Sequence, residues 1–486
     1  MQDNKDNSYN SVGFGKVKAD EDLPEHFSED FSIVDNDLDL HKKNKEKKKR
    51  SNNSVGLFRR TREFLKYDEE IAVDEVLGEE KTLPDVIARS PKLIRLIWRL
   101  IFGGEDVSLE TVKPRTSAGI DRVMLLIICI LISIGSVMVF SASYAFAETR
   151  YDNSIHFVKK QIIFVVIGFL AMFITSVFTP AFYKMITRSV YCVALLLLVL
   201  VLVMGFAGNG AQRWLSIGPL SFQPSEIAKL ALVLILAWYF SIFEDKATNY
   251  TNKRQSFFYG IFYPLLIVGL TAGLVMLEKH LSCLIILCAI GVILMFAAGA
   301  DKKILMILAL CGGVGVGALA IAIPYTRRRL LIWMNPALDA QDGGWQTLQG
   351  LNAIGSGGLF GLGLGNSRMK YSYVSEPAND FIFTITCEEL GFVGAAAIMA
   401  LFALFVYRGY KIATTNSDTF ARLTAFGITT QVAVQALLNF AVVTNTFPNT
   451  GIALPFFSYG GTSLVVLFAE MGILLAISRT SHLKFR

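Results

Sequence analysis

The sequence predicts an all-α, polytopic membrane protein with about ten transmembrane helices, a large folded external loop and a mostly disordered cytoplasmic N-terminal arm. The chain has 486 residues, of which 53% are hydrophobic, and its mean hydropathy of +0.48 is too apolar for a water-soluble domain. Its charges are concentrated at one end, because residues 1–117 hold 21 Lys and Arg and 24 Asp and Glu. The rest of the chain alternates long apolar runs with short polar segments.

The N-terminal arm, residues 1–117, divides into two parts. Residues 1–88 are rich in Asp, Glu, Lys, Asn and Ser, and such a stretch cannot bury enough apolar surface to offset its ordering entropy. Near 89–103, Lys92, Arg95 and Arg99 recur at helical spacing among apolar residues. This pattern indicates a basic amphipathic helix that lies on an anionic leaflet or packs on protein. No basic region precedes a short apolar core, so no cleaved signal peptide is predicted.

The membrane domain is predicted over residues 118–480, with each apolar run near the ~20 residues that cross a bilayer. An even number of spans places both termini on one side, and most Lys and Arg clusters between spans fall on that side, which marks it as cytoplasmic. The weakly acidic arm and basic membrane part give no reason to expect a nucleic-acid partner. The spans are placed near 121–143, 160–178, 187–206, 226–243, 259–277, 281–299, 303–323, 379–407, 419–444 and 452–478.

Residues 324–378 form the longest predicted external segment. A connection of this length is usually functional or disordered, and this one contains Trp333, Trp345 and a series of glycines between 355 and 365. These residues favour a folded loop with tight turns. No Gly-Lys-Ser/Thr ending follows the glycines, so a nucleotide-binding loop is disfavoured.

Ionisable residues at the edge of a membrane domain are costly, and here they cluster on the predicted external side. A basic cap above carboxylates suits a lipid that carries a diphosphate, with cations on the phosphates and an acid or base at a hydroxyl. The alternative is structural: ion pairs at helix ends, arginines that meet lipid headgroups, and a capping aspartate. No Gly-x-Ser-x-Gly turn and no zinc-ligand spacing occurs. These ionisable residues are Glu226, Lys229, Glu278, Lys279, His280, Arg368, Lys370, Glu376, Asp380, Glu388 and Glu389.

Four separated motifs in residues 121–480 resemble the SEDS family of shape, elongation, division and sporulation proteins. The first joins Arg213-Trp214 to Gln223-Pro224-Ser225-Glu226, and the second runs from Asn352 through the glycines that end at Gly365. The third is Asp380-Phe381-Ile382-Phe383 with Glu388-Glu389, and the fourth includes Leu454-Pro455-Phe456 and Ser458-Tyr459-Gly460-Gly461.

The resemblance implies a ten-span fold that polymerises lipid II into glycan strands outside the membrane, beside a class B penicillin-binding protein that crosslinks them. In this reaction a sugar 4-hydroxyl attacks the anomeric carbon of a lipid-linked partner, and undecaprenyl diphosphate leaves. The family's motif positions assign Arg213, Glu226 and Lys229 to the substrate groove and Lys370, Glu376 and Asp380 to the neighbourhood of the site. With Arg368, which lies at the end of the long loop, Lys370 and Glu376 are expected to bind substrate. Ser458 is expected to serve close helix packing at least as much as substrate binding.

One position departs from the family pattern. Where family members carry their catalytic Asp, between the fifth and sixth spans, this sequence has His280, two residues after Glu278. We predict that His280 acts as the general base, which would make the rate fall in acid as an ordinary imidazole protonates. Glu278 and Asp380 are the alternative catalytic carboxylates. A divalent cation, Mg²⁺ or Mn²⁺, is the one cofactor left open, and His is a poor ligand for Mg²⁺.

Two other functions stay open at this point. The missing Asp is compatible with a catalytically silent scaffold that positions or activates a penicillin-binding protein, and intramembrane charges are compatible with a lipid II flippase. All three functions place the chain in the bacterial cytoplasmic membrane with both termini in the cytoplasm. The arm is expected to bind the division or elongation machinery, with the division septum as one destination.

Overall fold

The computed structural model describes residues 119–208, 211–217, 220–248, 252–322, 324–339, 344–371, 373–374 and 377–481. The predicted arm and its amphipathic helix near 89–103 lie outside the described residues. The helices are α1 (Arg122–Tyr151), α2 (His156–Val177), α3 (Pro180–Met204), α4 (Pro224–Ala247), α5 (Lys253–Leu277), α6 (Leu281–Ala297), α7 (Lys302–Ala322), α8 (Pro324–Met334), α9 (Trp345–Ser356), α10 (Ile382–Thr414), α11 (Thr419–Val443) and α12 (Gly461–Ser478). Three short strands, β1 (Phe206–Gly208), β2 (Ala211–Ile217) and β3 (Leu220–Phe222), form an antiparallel sheet.

The ten predicted spans all coincide with helices, and the predicted fold class is confirmed. Among the described residues, eight helices are long and apolar enough to cross a membrane. The two other predicted spans correspond to α6, an apolar helix of 17 residues, and α7, an apolar helix of 21 residues. The remaining helices, α8 and α9, belong to the long loop.

The boundary of the tenth span was predicted too early. It was placed at 452, but α12 begins at Gly461. The intervening residues are apolar and buried, with Leu454 and Phe456 each 1% exposed. They form an irregular turn that contains Pro455 and has Phe456 at φ +65°. Their high hydropathy reflects burial, but they are covered by protein rather than by lipid, so the sequence pattern extended the predicted span over them.

Small residues set the close packing of α2 on α12. A Cβ on Gly472 would lie 1.9 Å from Thr175 Oγ1, and a Cβ on Gly168 would lie 2.4 Å from the Phe468 ring. Thr175 Oγ1 also donates to the Ala469 carbonyl oxygen at 3.0 Å. Helices that meet through small residues and hydroxyl bonds are typical of membrane interiors, where no hydrophobic effect drives association.

The long loop is folded in its described parts, as the sequence predicts. α8 is attached to the turn after α11, because Trp333 Nε1 donates to the Asn445 carbonyl at 3.0 Å. α9 is attached to the end of the loop through Trp345 Nε1, which donates to the Tyr373 carbonyl at 2.8 Å. The glycines that follow α9 supply left-handed turns, with Gly361 at φ +80° and Gly363 at φ +93°.

At the opposite end of the helices, Asp121 ties three elements together. Its Oδ1 caps α1 by accepting from the Val123 amide at 3.0 Å. Its Oδ2 accepts from Arg408 Nε of α10 at 2.6 Å, and its own amide donates to Ser478 Oγ of α12 at 3.1 Å. Asp121 is fully buried. Its ion pair with Arg408 therefore fixes the position of the chain where it enters the membrane domain.

Candidate functional site

The sheet and the start of α4 bring the first predicted motif to the edge of the helical bundle. Arg213 lies on β2, and β3 ends at Phe222. Gln223 then occupies the N-cap position of α4, with Pro224 in its first turn and Glu226 also in that turn. Proline suits this place because its fixed φ matches a helix start and its missing N–H is not needed there.

The turn between α5 and α6 carries Glu278 and His280. The Lys279 amide donates to the Met276 carbonyl at 3.0 Å and the His280 amide to the Val275 carbonyl at 3.3 Å. With Lys279 at φ +56°, this is the Schellman ending of a helix, although the left-handed position usually holds Gly. The turn is therefore non-helical, which is the condition under which Glu278 and His280 can serve one site.

Side chains from β2 and α4 hold this turn. Arg213 Nη2 donates to the Lys279 carbonyl at 2.6 Å. His280 Nδ1 lies 3.3 Å from Gln223 Nε2 and 3.3 Å from Ser225 Oγ. The first motif and the turn that carries His280 thus form one cluster, although Gln223 and His280 are 57 residues apart in the sequence.

Lys229 extends the cluster along α4. It is 1% exposed, with Nζ 2.9 Å from Glu226 Oε2 and 3.1 Å from Gln435 Oε1 of α11. Gln435 in turn donates to the Ala453 carbonyl at 3.1 Å. On the other side of the same segment, Ser282 Oγ donates to the Thr450 carbonyl. Residues 448–453 therefore border the His280 turn.

The two titratable groups of the turn have opposite electrostatic surroundings. Burial raises the pKa of Glu278 to about 8, and the Arg213 guanidinium only partly offsets this. Burial lowers the pKa of His280 to about 3, and the Arg213 and Lys229 cations act in the same direction. Near neutral pH, His280 is therefore a neutral imidazole while Glu278 titrates. The fall in rate that an ordinary imidazole would cause between pH 5.5 and 8.5 is no longer expected.

An apolar cleft opens beside this cluster. It has a volume of about 290 Å³ and lies between α2, α4 and α12. Gln223 and Glu226 contribute its polar lining from α4, and Thr462 and Ser463 from the first turn of α12. The full lining consists of Phe164, Ile167, Phe222, Gln223, Glu226, Ile227, Thr462, Ser463, Val465 and Val466. An apolar ligand in this cleft would therefore place its polar end beside residues that contact His280 and Lys229.

Asp380 and Ser458 lie around the same border segment. A Cβ on Gly451 would come 3.7 Å from Asp380 Oδ2, so the Asp380 carboxylate faces residues 448–453. Ser458 Oγ donates to the Asn379 carbonyl at 2.7 Å and accepts from the Leu454 amide at 2.7 Å. Both hydrogen bonds of Ser458 go to the backbone, which supports the packing role that the sequence suggested for it.

Lys370 lies in a second, separate network. It is 2% exposed, and its Nζ lies 3.2 Å from Glu389 Oε1 and 2.5 Å from the Gly365 carbonyl oxygen. Ser141 of α1 also donates to Glu389 at 2.6 Å. Because Lys370 is enclosed by these partners, the geometry favours a structural role for it over direct contact with a diphosphate.

The two other loop candidates differ from Lys370. Arg368 has an exposed side chain, and only its backbone amide joins the network, donating to Glu388 Oε1 at 3.0 Å. Glu376 lies outside the described residues. Among the predicted residues, the structure therefore brings together Arg213, Glu226, Lys229, Glu278 and His280, with Asp380 and Ser458 at their border.

Several polar residues of the site were not singled out from the sequence. Gln223 and Ser225 were part of the first motif, yet their contacts with His280 could not be read from spacing. Glu470, 1% exposed on α12, accepts from Gln431 Nε2 at 2.8 Å. A lone carboxylate in an apolar run was a usable signal, because such residues are rare inside membrane helices.

The donor set of the described residues does not fit the divalent cation that the sequence left open. Mg²⁺ takes near-octahedral oxygen ligands, usually including one or two carboxylates. Within the described ranges, no three His, Cys, Asp or Glu side chains are grouped so that they could hold a metal ion. Glu226 is already paired with Lys229.

The chain resembles known proteins over nearly the whole described part. A family model described as "Cell cycle protein", which covers FtsW, RodA and SpoVE, matches residues 121–483. Stage V sporulation protein E of Bacillus subtilis (strain 168) is 38% identical over 367 residues, which cover 74% of this chain and 98% of that protein. A probable peptidoglycan glycosyltransferase FtsW of Geobacter sp. (strain M18) is 34% identical over 366 residues, covering 75% and 98% of the two chains.

Two solved structures share the fold. One is a chain from a peptidoglycan synthase complex that coordinates polymerization and crosslinking; it has a TM-score of 0.61 at 26% identity and covers 74% of this chain and 98% of its own. The other is the rod shape determining protein RodA of Thermus thermophilus, with a TM-score of 0.56 at 26% identity, covering 75% and 98%.

Proposed function

The chain belongs to the FtsW, RodA and SpoVE family of cell cycle proteins, and from this premise we propose that it is a peptidoglycan glycosyltransferase that polymerises lipid II. The relatives named as FtsW carry this activity in their names, and a structural relative belongs to a peptidoglycan synthase complex. The proposed reaction joins the disaccharide of one lipid-linked unit to that of another and releases undecaprenyl diphosphate.

The observation that carries this proposal is the shared lining of the cleft and the charged cluster. Gln223 borders the apolar cleft and also contacts His280, while Glu226 borders the cleft and pairs with Lys229. A lipid-linked sugar needs an apolar path for its chain, directly followed by polar groups at the diphosphate and the reacting sugar. Arg213 and Lys229 supply positive potential at that point.

The distribution of Lys and Arg between the spans supports one orientation of the protein. We place both termini in the cytoplasm and the cluster around His280 at the outer face of the bacterial cytoplasmic membrane. The arm, residues 1–117, is then in the cytoplasm, where it can bind the division or elongation machinery. Binding to the division machinery would recruit the protein to the septum. A class B penicillin-binding protein is the proposed partner that crosslinks the strands.

The direct test is strand synthesis from fluorescent lipid II by the purified chain with its penicillin-binding partner. We expect products longer than the disaccharide from the wild type. The control variant Glu148→Gln, which removes an exposed carboxylate near the end of α1, should make the same products. Arg213→Ala and Glu278→Gln should each lose most of the product.

Three outcomes separate the functions. A complex that is folded and assembled but makes no strands, and that still raises crosslinking by its partner, would identify a scaffold. Translocation of lipid II in vesicles above the rate of empty vesicles, without polymerisation, would identify a flippase. Product from the wild type that is lost in the two site variants supports the polymerase.

A further inference from the structure

The hydrogen bonds of His280 determine its tautomer. Gln223 Nε2, an amide nitrogen that can only donate, lies 3.3 Å from His280 Nδ1, and the Ser225 hydroxyl lies at the same distance. The Gln223 amide nitrogen therefore directs a donor at Nδ1, and the Ser225 hydroxyl, which can donate as well as accept, is compatible with the same arrangement, so Nδ1 accepts and carries no proton. In a neutral imidazole the proton then resides on Nε2. No described residue forms a hydrogen bond with Nε2, so this N–H remains available to a ligand.

Glu278 has the complementary property. It is 1% exposed, and neither Oε1 nor Oε2 has a hydrogen-bond partner among the described residues. A buried carboxyl without partners is costly and usually has a functional explanation. It lies two residues from His280 on the same non-helical turn, and the Arg213 guanidinium, which donates to the carbonyl of the intervening Lys279, interacts electrostatically with it.

We infer that the catalytic roles on this turn are divided, with Glu278 accepting the proton of the attacking sugar hydroxyl and neutral His280 donating its Nε2–H to the departing diphosphate. This inference rests on the proposed glycosyltransferase function and reverses the role that the sequence suggested for His280. The family's single Asp is thus replaced by two residues, one of which supplies the base and the other a hydrogen-bond donor.

The reaction is balanced as follows. The 4-hydroxyl oxygen of the acceptor sugar forms a bond to the anomeric carbon of the donor, and its proton passes to the Glu278 carboxylate. The bond from the anomeric carbon to the diphosphate oxygen breaks, and the electron pair leaves with that oxygen. The new negative charge accepts a hydrogen bond from His280 Nε2–H, which keeps its proton. Glu278 then returns the acquired proton to solvent.

The surroundings of the turn are consistent with this division. A base is active when deprotonated, so the rate should rise with pH through the pKa of Glu278, about 8. An imidazole with a pKa of about 3 is too weakly basic to compete for the hydroxyl proton, yet it stays a neutral donor at all working pH values. The charged or titratable groups that face the turn are Arg213 on β2, Glu226 and Lys229 on α4, Lys279 within it, Cys283 on α6 and Asp380 across residues 448–453.

Substitutions at the two positions test the division. Glu278→Gln should lower kcat by about 10² to 10⁴, the usual contribution of a general base, and Glu278→Asp should retain part of the rate. His280→Gln keeps an amide donor near the Nε2 position and should stay within about tenfold of wild type, whereas His280→Ala should lose about 10² to 10³. His156→Gln, at a histidine near the same membrane face, is the matched control. Equal losses in His280→Gln and His280→Ala, with full activity in Glu278→Gln, would overturn the assignment.

A spectroscopic measurement does not depend on activity. The imidazole ¹⁵N shifts of the labelled protein in detergent should show an unprotonated Nδ1 and a protonated Nε2 at His280 from pH 5.5 to 8.5. The chain has five histidines, so the His280→Gln spectrum identifies the signal. A cationic ring or the opposite tautomer would refute the inference even if strands are made. A wild type that makes no strands, with the tautomer as expected, would instead contradict the proposed function.

Discussion

Lys370 Nζ lies 3.2 Å from Glu389 Oε1, and the Lys370 and Glu389 side chains are only 2% and 0% exposed. This pair joins the end of the long loop to the first half of α10, and Ser141 brings α1 into the same network. Glu388, beside it, accepts from Ser367 Oγ at 2.5 Å. The two adjacent carboxylates therefore hold the loop down by charge-assisted bonds in a site from which water is largely excluded.

Removal of Lys370 should destabilise the protein rather than weaken substrate binding selectively. Lys370→Ala leaves Glu389 buried without its cation, and breaking such a pair costs about 3 to 5 kcal/mol. We expect a clearly lower midpoint of thermal unfolding in detergent. Arg368→Ala is the control, because its side chain is exposed and such changes usually stay within about 0.5 kcal/mol. Normal stability of Lys370→Ala together with a raised KM for lipid II would instead support the prediction that Lys370 contacts the diphosphate.

The kink in α10 depends on a glycine. Gly391 has φ +67° and ψ −170°, a combination that is essentially confined to glycine. A Cβ there would also lie 2.2 Å from the Gly361 amide nitrogen. Gly391→Ala should therefore reduce the yield of folded protein and lower its thermal midpoint.

Gly355→Ala provides the comparison for the kink. Gly355 lies in α9 with no atom within 4 Å of an added Cβ, and alanine in a helix is favoured over glycine by about 0.5 to 1 kcal/mol. Its midpoint should be unchanged or slightly raised. Similar stability of Gly391→Ala and Gly355→Ala would show that the close contact between Gly391 and the loop at Gly361 does not contribute to the stability of the protein.

Filling the apolar cleft should impair the use of the lipid substrate. Val465 lines the cleft on α12, and Val465→Trp would occupy part of its volume of about 290 Å³. We expect KM for lipid II to rise about tenfold, equivalent to about 1.4 kcal/mol, with kcat less affected. Val203→Trp, at a position 75% exposed on α3, should leave both constants unchanged. Equal constants for wild type and Val465→Trp would remove the cleft from the substrate path.

Hydropathy predicted the membrane-spanning fold, and the positions of charged residues predicted part of the site. A bilayer requires runs of about 20 apolar residues, so the spans follow from length alone. Charges inside such a chain are costly, and this criterion selected Glu226, Lys229, Glu278 and His280. Arg213 was selected by its place in the first motif. The start of α12 was missed because residues 452–460 are equally apolar while being buried by protein.

The rest of the site depends on contacts between distant parts of the chain. Lys370 was assigned to substrate because the loop sequence cannot reveal that Glu389 of α10 lies 3.2 Å from its Nζ. The tautomer of His280 depends on Gln223, and no spacing rule predicts that contact. Glu470, by contrast, stands alone in an apolar helix and could have been selected by the same cost argument as the others.

Arg213 should act on the pH dependence of the reaction as well as on its rate. Its guanidinium lowers the pKa of Glu278 against the stronger effect of burial, and its Nη2 holds the Lys279 carbonyl at 2.6 Å. Arg213→Gln removes the charge, so the pKa of Glu278 should rise above about 8, and the ascending limb of the rate should move to higher pH. Arg213→Lys keeps the charge but lacks the planar guanidinium group. The ascending limb of its pH–rate profile should stay near the wild-type position, while kcat falls because the turn is held less firmly.

The measurement is the pH profile of kcat/KM for both Arg213 variants between pH 6 and 9.5, with Glu278→Gln as the reference in which the ascending limb is absent. A limb that moves to lower pH in Arg213→Gln, or that persists in Glu278→Gln, would show that another group controls the proton.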